Sequence, residues 1–380
     1  MKVFVGKFYL FLLLVFLLGG CKERFNPELK DTNARLLVVE GMISVGGERT
    51  SIKLSRTVPV SQKGNRVPEV GATVSFESSA NQTYTLTESS PGTYQSAVLN
   101  LDPNLKYRLK IVSKGVEYIT DFLEAKLSPP IDDVAWKEKG NGLEINVSTH
   151  DDTKKTRYYR WDFDETWIFY SQYASTLIWT GNGLRLRDPA TENIYQCWGS
   201  AGSTNVNVGS TMKLSDDVIY QKPLILIPKG SERFSLKYSI LVRQYALTKE
   251  AFEFWENLGK NTENLGSIFD AQPSELTGNI RNVKNPNEPV LGFISVGSIQ
   301  SKRIFIAREQ LDNWLVVKPS PCFQMDTVRT ANIRNFANPE YMAIEEIYNG
   351  GGIFIGYGGA PRRCVDCTIR GTNIKPSFWQ

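Results

Sequence analysis

Arg157-Tyr158-Tyr159-Arg160-Trp161-Asp162-Phe163-Asp164-Glu165 is the stretch on which the fold reading turns. Rings stand at 159, 161 and 163, and charges at 160, 162 and 164. A period of two is what a strand with one buried face produces, because successive side chains leave opposite faces of the pleat. A helix would need apolar residues three and four apart instead. The outer face mixes Arg with Asp, so it can pair with neighbouring strands, each pair contributing roughly 0.2–1 kcal/mol.

The same period spreads outward from this stretch. Leu143, Ile145 and Val147 alternate upstream, and Asp151-Asp152 marks a turn. Downstream, Trp167, Phe169, Ile178 and Trp179 are expected to continue the sheet. Consecutive prolines at 129 and 130 hold the chain extended and break any strand, so a domain boundary falls near 127/128. Before it, residues 36–127 alternate in short runs. These are 36–43, then Ile52, Leu54 and Arg56 on one face, then 72–76, Tyr84 to Leu86, Tyr94 onward, and Tyr107, Leu109 and Ile111. Turn residues fall between them (Ser78-Ser79-Ala80-Asn81 and Ser90-Pro91-Gly92), a pattern of short strands that reads as a sandwich. Tyr107, after Leu101-Asp102-Pro103-Asn104-Leu105-Lys106, resembles the corner tyrosine of immunoglobulin-like domains, whose hydroxyl bonds back to nearby backbone.

One helix is expected near 249–260. Thr248 suits the N-cap, and Leu247 with Phe252 has the spacing of a hydrophobic staple. Ala251, Phe252, Trp255 and Leu258 form the face that docks on the sheet. Residues 280–283, 291–298 and 302–307 resume β structure. The fold class is therefore mainly β. An N-terminal immunoglobulin-like β-sandwich (36–127) precedes a larger β-sandwich-like domain (128–380) with one or two inserted helices.

The start of the chain sets an address. Lys2 and Lys7 precede an uncharged run from Phe8 to Leu18, and Leu18-Gly19-Gly20-Cys21 closes it. About 20 apolar residues are needed to cross a bilayer, so residues 1–20 read as a signal peptide rather than a span. Leu-Gly-Gly-Cys resembles the bacterial lipobox, and cleavage before Cys21 would expose a thiol and an amine for acylation. Two or three acyl chains anchor stably where one does not. Residues 21–35 then form a polar tether. Lys22-Glu23 partly matches a surface-export signal, and Arg24 departs from it.

Four further cysteines, Cys197, Cys322, Cys364 and Cys367, suggest two disulfides in an exported chain, with three connectivities open. Cys364-Val365-Asp366-Cys367 has metal-like spacing, but a zinc site would need its thiols kept reduced. The segment is not expected to be helical, as a redox Cys-x-x-Cys would be, so a structural staple of the C-terminus is the favoured reading.

Chemistry is sparse. The formal charge of +4 is spread along the chain without a basic stripe, which argues against nucleic acid as a partner. His150, the single histidine, stands in a polar Ser-Thr-His-Asp-Asp turn, so any Ser-His or Cys-His mechanism depends on it alone. No spacing selects a carboxylate pair for glycoside hydrolysis. Gly350-Gly351-Gly352 through Gly358-Gly359 lacks the following helix of a phosphate loop and reads as a bulged strand close to another backbone. Trp179, flanked by Thr180-Gly181-Asn182-Gly183, is the aromatic residue singled out as a ligand platform.

Tyr158-Tyr159-Arg160-Trp161, residues 214–219, 238–247 and 264–274, and the ending from Cys364 to Trp379 resemble a large family of Bacteroidota outer-membrane lipoproteins catalogued as domain of unknown function 4249. The resemblance covers almost the whole mature chain. It implies an outer-membrane lipoprotein, anchored through acyl chains on Cys21 and often encoded beside a TonB-dependent transporter, and it implies no catalytic residues. Surface exposure is expected from Lys22-Glu23, and no cofactors are expected. The expected function is therefore a non-enzymatic ligand-capturing or accessory partner of such a transporter. A surface hydrolase with an unrecognised carboxylate pair, and an adhesion or structural envelope role, are the alternatives.

Overall fold

The structure, a computed structural model, describes residues 35–58, 66–263, 276, 278–316, 322 and 324–379. The expected signal peptide, Cys21, nearly all of the tether and the family-like segment 264–274 lie outside the described residues.

The alternating stretch lies in a long strand, Tyr158–Tyr170. Tyr159, Trp161 and Phe163 are buried, as the period of two requires. On the other face Arg243 reaches Asp162 through Nε and Asp164 through Nη1, both at 2.6 Å. The strand pairs antiparallel with Gln196–Gly202 and Asn207–Ser210 along one edge and with Lys237–Ala246 along the other, followed by Ile299–Ala307. A second sheet of Ile131–Lys139, Gly142–His150 and Val218–Pro228 covers it. Val134, Leu143, Ile145 and Val147 meet Tyr159, Trp161, Phe163, Ile240 and Val242 between the layers. The diproline linker is tied into this core by the fully buried Gln244. Its Oε1 accepts from Trp161 Nε1 at 2.9 Å, and its Nε2 donates to the Pro129 carbonyl at 2.7 Å and the Thr149 hydroxyl at 3.1 Å. A buried amide so fully engaged adds direction to the apolar packing around it.

The N-terminal unit is an immunoglobulin-like sandwich joined at both sides. Hydrogen bonding passes from Lys106–Ser113 through Thr73–Ser78, Thr83–Ser90, Thr93–Val98, Arg49–Arg56 and Leu37–Ser44. It then crosses Ser295–Gly297 and Leu123–Lys126, and the latter pairs back with Lys106–Ser113. Tyr107 donates its hydroxyl to the Asp102 carbonyl at 2.8 Å, the corner geometry its sequence context suggests. Two of the strands come from far along the chain. Ser295–Gly297 slots in parallel between Leu37–Ser44 and Leu123–Lys126, and Ile280–Asn282 pairs antiparallel with Val116–Thr120. Ile280, Val290, Ile294 and Val296 complete the core of this sandwich. Residues 36–127 thus share their unit with residues 280–297, and the 127/128 boundary marks only the first crossing. The return segment passes very close: at Gly292, φ +126°, an added Cβ would sit 2.0 Å from the Val39 carbonyl oxygen, so only glycine fits.

The region 128–380 divides again. Its C-terminal part builds a separate three-stranded sheet, with Phe354–Pro361 between Asp326–Val328 and Tyr341–Tyr348. The glycine-rich run supplies the central strand, with register shifts against Tyr341–Tyr348. Gly356 lies so near the Val328 carbonyl that a Cβ would stand 2.5 Å from it. Ile178-Trp179 does not extend the main sheet. It forms a hairpin, Leu177–Trp179 with Leu184–Leu186, because Thr180 N closes the turn on the Gly183 carbonyl at 2.9 Å and frees an apolar face. That face packs on Val328, Phe336 and Ala343.

The Cys364–Cys367 segment corrects another expectation, since a short α-turn, Arg362–Val365, precedes a 3-10 turn, Cys367–Ile369. Pro361 stands at the turn's N-cap, where no intrahelical amide is required. Two disulfides are formed, Cys197–Cys367 and Cys322–Cys364, so each cysteine of the close pair is bonded to a distant partner.

Candidate functional site

The helix borders a cleft. It runs Lys249–Glu263, a little longer than expected, with the Thr248 hydroxyl accepting from Ala251 N at 3.2 Å as the cap. Ala251 is buried and Phe252 packs on Tyr158 at 5.1 Å. Trp255 and Tyr245 hold the Arg160 guanidinium between their rings, at 4.4 and 4.2 Å. These contacts seat one face of the helix on the second sandwich. Phe254, outside the face formed by Ala251, Phe252, Trp255 and Leu258, is also buried, with its ring 5.4 Å from Phe293 of the returning segment. The helix is therefore wedged between the two sandwiches.

Beside this wedge lies a cleft of about 710 Å³, within the roughly 300–1,000 Å³ that small-ligand sites occupy. Phe122, Phe254, Phe293 and Ile294 give it apolar walls. Its charged groups are largely paired, with Glu124 3.3 Å from Lys106 and 3.8 Å from Lys126. At the helix N-terminus the Glu250 carboxyl is held below its ordinary range, chiefly by hydrogen bonding to its own backbone amide and to the Thr248 hydroxyl. Such a lining can hold an amphipathic ligand by shape and burial. Phe122, Phe254 and Phe293 are far apart in sequence, and no local motif joins them.

The residues singled out from sequence lie elsewhere. Trp179 is half-buried in the hairpin packing described above and does not line this cleft. The four downstream cysteines are the disulfide partners, and Cys21 lies outside the described residues. His150 ends the strand Gly142–His150, with Nδ1 2.8 Å from Asp132 and Nε2 3.7 Å from Asp152. Donating a hydrogen bond to the Asp132 carboxylate raises its pKa above the ordinary 6.5. A raised pKa means that the ion pair is fully present below pH 6.5 and is lost as pH rises through the folded value. An NMR titration is expected to place His150 above 6.5 and to bring it down in Asp132→Asn; an unchanged midpoint in that variant would refute the pairing.

Buried carboxylates are found, but inside the scaffold. Burial raises the Glu165 carboxyl, opposed by the Tyr238 hydroxyl at 2.7 Å and Arg233 at 2.9 Å. Asp217 accepts from Tyr159 at 2.9 Å and Thr211 at 2.6 Å. Among the described residues, no group of three or more His, Cys, Asp or Glu is placed to hold a metal ion. No helix among them is long and apolar enough to cross a membrane.

No curated protein matches the chain. Among solved structures, a two-domain fibronectin type-III segment of chicken tenascin is similar at 13% identity, over 56% of this chain and 91% of that one. Its TM-score is 0.16. A family model described as a domain of unknown function, DUF4249, matches residues 22–303, about three quarters of the chain. The chain belongs to that family.

Proposed function

We propose that this protein is a lipid-anchored lipoprotein of the outer membrane, displayed at the cell surface, that captures a ligand for a TonB-dependent transporter or assists one without performing catalysis. The observation that carries the reading is Leu18-Gly19-Gly20-Cys21 closing an uncharged apolar run. The cleft beside the helix supports it, because its walls suit retention of a ligand and its Glu124 carboxylate is engaged by Lys106 and Lys126. The two disulfides support an oxidising compartment.

Cys21→Ala is expected to leave the chain unlipidated and released from the membrane fraction. Retention of that variant in the membrane would refute the anchor. Mild detergent extraction at native expression is expected to bring down a transporter barrel with the wild-type protein. Its isolation alone would count against the partnership and leave the anchor untouched.

A further inference from the structure

A second cleft, of about 450 Å³, lies where the end of the strand Tyr158–Tyr170 meets the disulfide-linked C-terminal turns. Three guanidiniums line it, from Arg308, Arg363 and Arg370, against one carboxylate, Glu232. Arg370 is engaged by Glu232 at 2.7 Å and lies 4.5 Å over the Phe169 ring. The side chains of Arg308 and Arg363 make no hydrogen bond or ion pair among the described residues. One wall is a pair of stacked rings, Tyr170 and Tyr195, with centroids 4.8 Å apart and planes within 8°. Tyr170 is 39% exposed.

The elements carrying these groups are braced together. Cys197, two residues after Tyr195, is bonded to Cys367, three before Arg370, and Cys364, adjacent to Arg363, is bonded to Cys322. Backbone bonds from Ser171 N to the Tyr195 carbonyl (2.9 Å), Tyr173 N to the Cys364 carbonyl (3.0 Å) and Cys367 N to the Ile194 carbonyl (2.8 Å) stitch the same segments. Like charges gathered on so rigid a frame repel one another, and solvent or an anion must balance them. A guanidinium is shaped to take a carboxylate in a bidentate fork, and a tyrosine pair offers a flat surface to a ring.

We propose that this cleft binds a carboxylate carried on a flat-faced ring, with Arg308 and Arg363 taking the carboxylate and the Tyr170–Tyr195 pair supporting the ring. An acidic sugar and an aromatic acid are the two sources of that chemistry. The inference does not depend on the anchor or on a transporter.

Calorimetric titration of the purified full chain tests it with digalacturonate and 4-hydroxybenzoate, each beside its methyl ester, and with inorganic phosphate. At least one free acid is expected to bind, and its ester at least about tenfold more weakly, because the charge-assisted hydrogen bonds are lost. The acid that binds identifies the source. Arg308→Ala and Arg363→Ala, which break no pair among the described residues, are expected to fold normally and each to weaken that acid about tenfold or more. No binding by either acid, binding equal to that of the ester, or binding unaffected by both substitutions would overturn the proposal. Phosphate bound as tightly as the ring acid would also overturn it, by removing the rings from recognition. The ester comparison uses wild-type protein, so it stands even where a variant fails to fold.

Discussion

Glu69→Gln is expected to cost about 3–5 kcal/mol of folding stability, the range for breaking a buried ion pair from one side. The Glu69 side chain is 2% exposed, and Arg56 grips its two oxygens from Nε and Nη2 at 3.1 Å each. Ser113 donates to Oε1, and Lys114 lies 3.1 Å from Oε2. Burial by itself would raise the carboxyl. The hydrogen bonds from Arg56, Ser113 and Lys114 outweigh it and hold the group down at about 2, against an ordinary 4.5. A depressed carboxyl stabilises the fold above pH 4.5, and that contribution is lost as pH falls from 4.5 towards 2. It amounts to about 3 kcal/mol. Urea denaturation across that window is the measurement. The wild-type midpoint is expected to fall with pH, and the Glu69→Gln midpoint to be lower at pH 7 and flatter in acid. A loss below about 1 kcal/mol at pH 7 would mean that the network is not stabilising. The paired change Arg56→Met with Glu69→Leu is expected to recover much of the loss, because matched apolar groups avoid the desolvation that a lone buried Arg56 incurs.

Removing the Cys197–Cys367 bond by alanine at both positions is the second large effect expected. It closes a sequence separation of 170 residues, against 42 for Cys322–Cys364. The chain-entropy relation puts the first near 5 kcal/mol and the second near 4, so the longer loop is expected to cost about 1 kcal/mol more. There is a native-state reason as well. Cys197 lies on a strand of the second sandwich and Cys367 on the turn after the C-terminal sheet, so this bond ties that turn to the sandwich through the small cluster the two cysteines share with Phe169. Thermal melts of the two double variants test the order. Loss of less than about 1 kcal/mol from the 197–367 pair would show that packing and backbone hydrogen bonds hold the C-terminal unit without it.

Period and turn chemistry carried much of the architecture. Tyr159, Trp161 and Phe163 inward, the Tyr107 corner, the Thr248 cap and the bulged glycine strand all rest on contacts within a few residues, or on a facing pattern that survives any partner. Ile178-Trp179 failed because alternation says that a segment is a strand and not which sheet receives it. Ser295–Gly297 and Ile280–Asn282 were readable as β but not as members of the first sandwich. A three-residue strand has little pattern, and parallel pairing needs no turn to announce it.

The candidate sites divide the same way. The expectation for Cys21 and the disulfide bonding of the later cysteines both rest on local or compositional signals, which a single chain displays. The cleft beside the helix needs Phe122, Phe254 and Phe293, and the basic cleft needs Arg308, Arg363 and Arg370 against rings at 170 and 195. None of these groups shares a motif, because cavities form between elements whose neighbours are chosen by long-range packing. By itself the sequence determined a β protein and which face of each clear strand turns inward, and it supplied the expectation of an export signal ending at a lipobox-like cysteine. Only the tertiary structure decided that the first sandwich is completed by residues 280–297, which cysteines pair, and where a group of arginines meets stacked tyrosines. Those outcomes depend on closing loops of tens to hundreds of residues, and the free energy of closure resides in the packed whole and in no single segment.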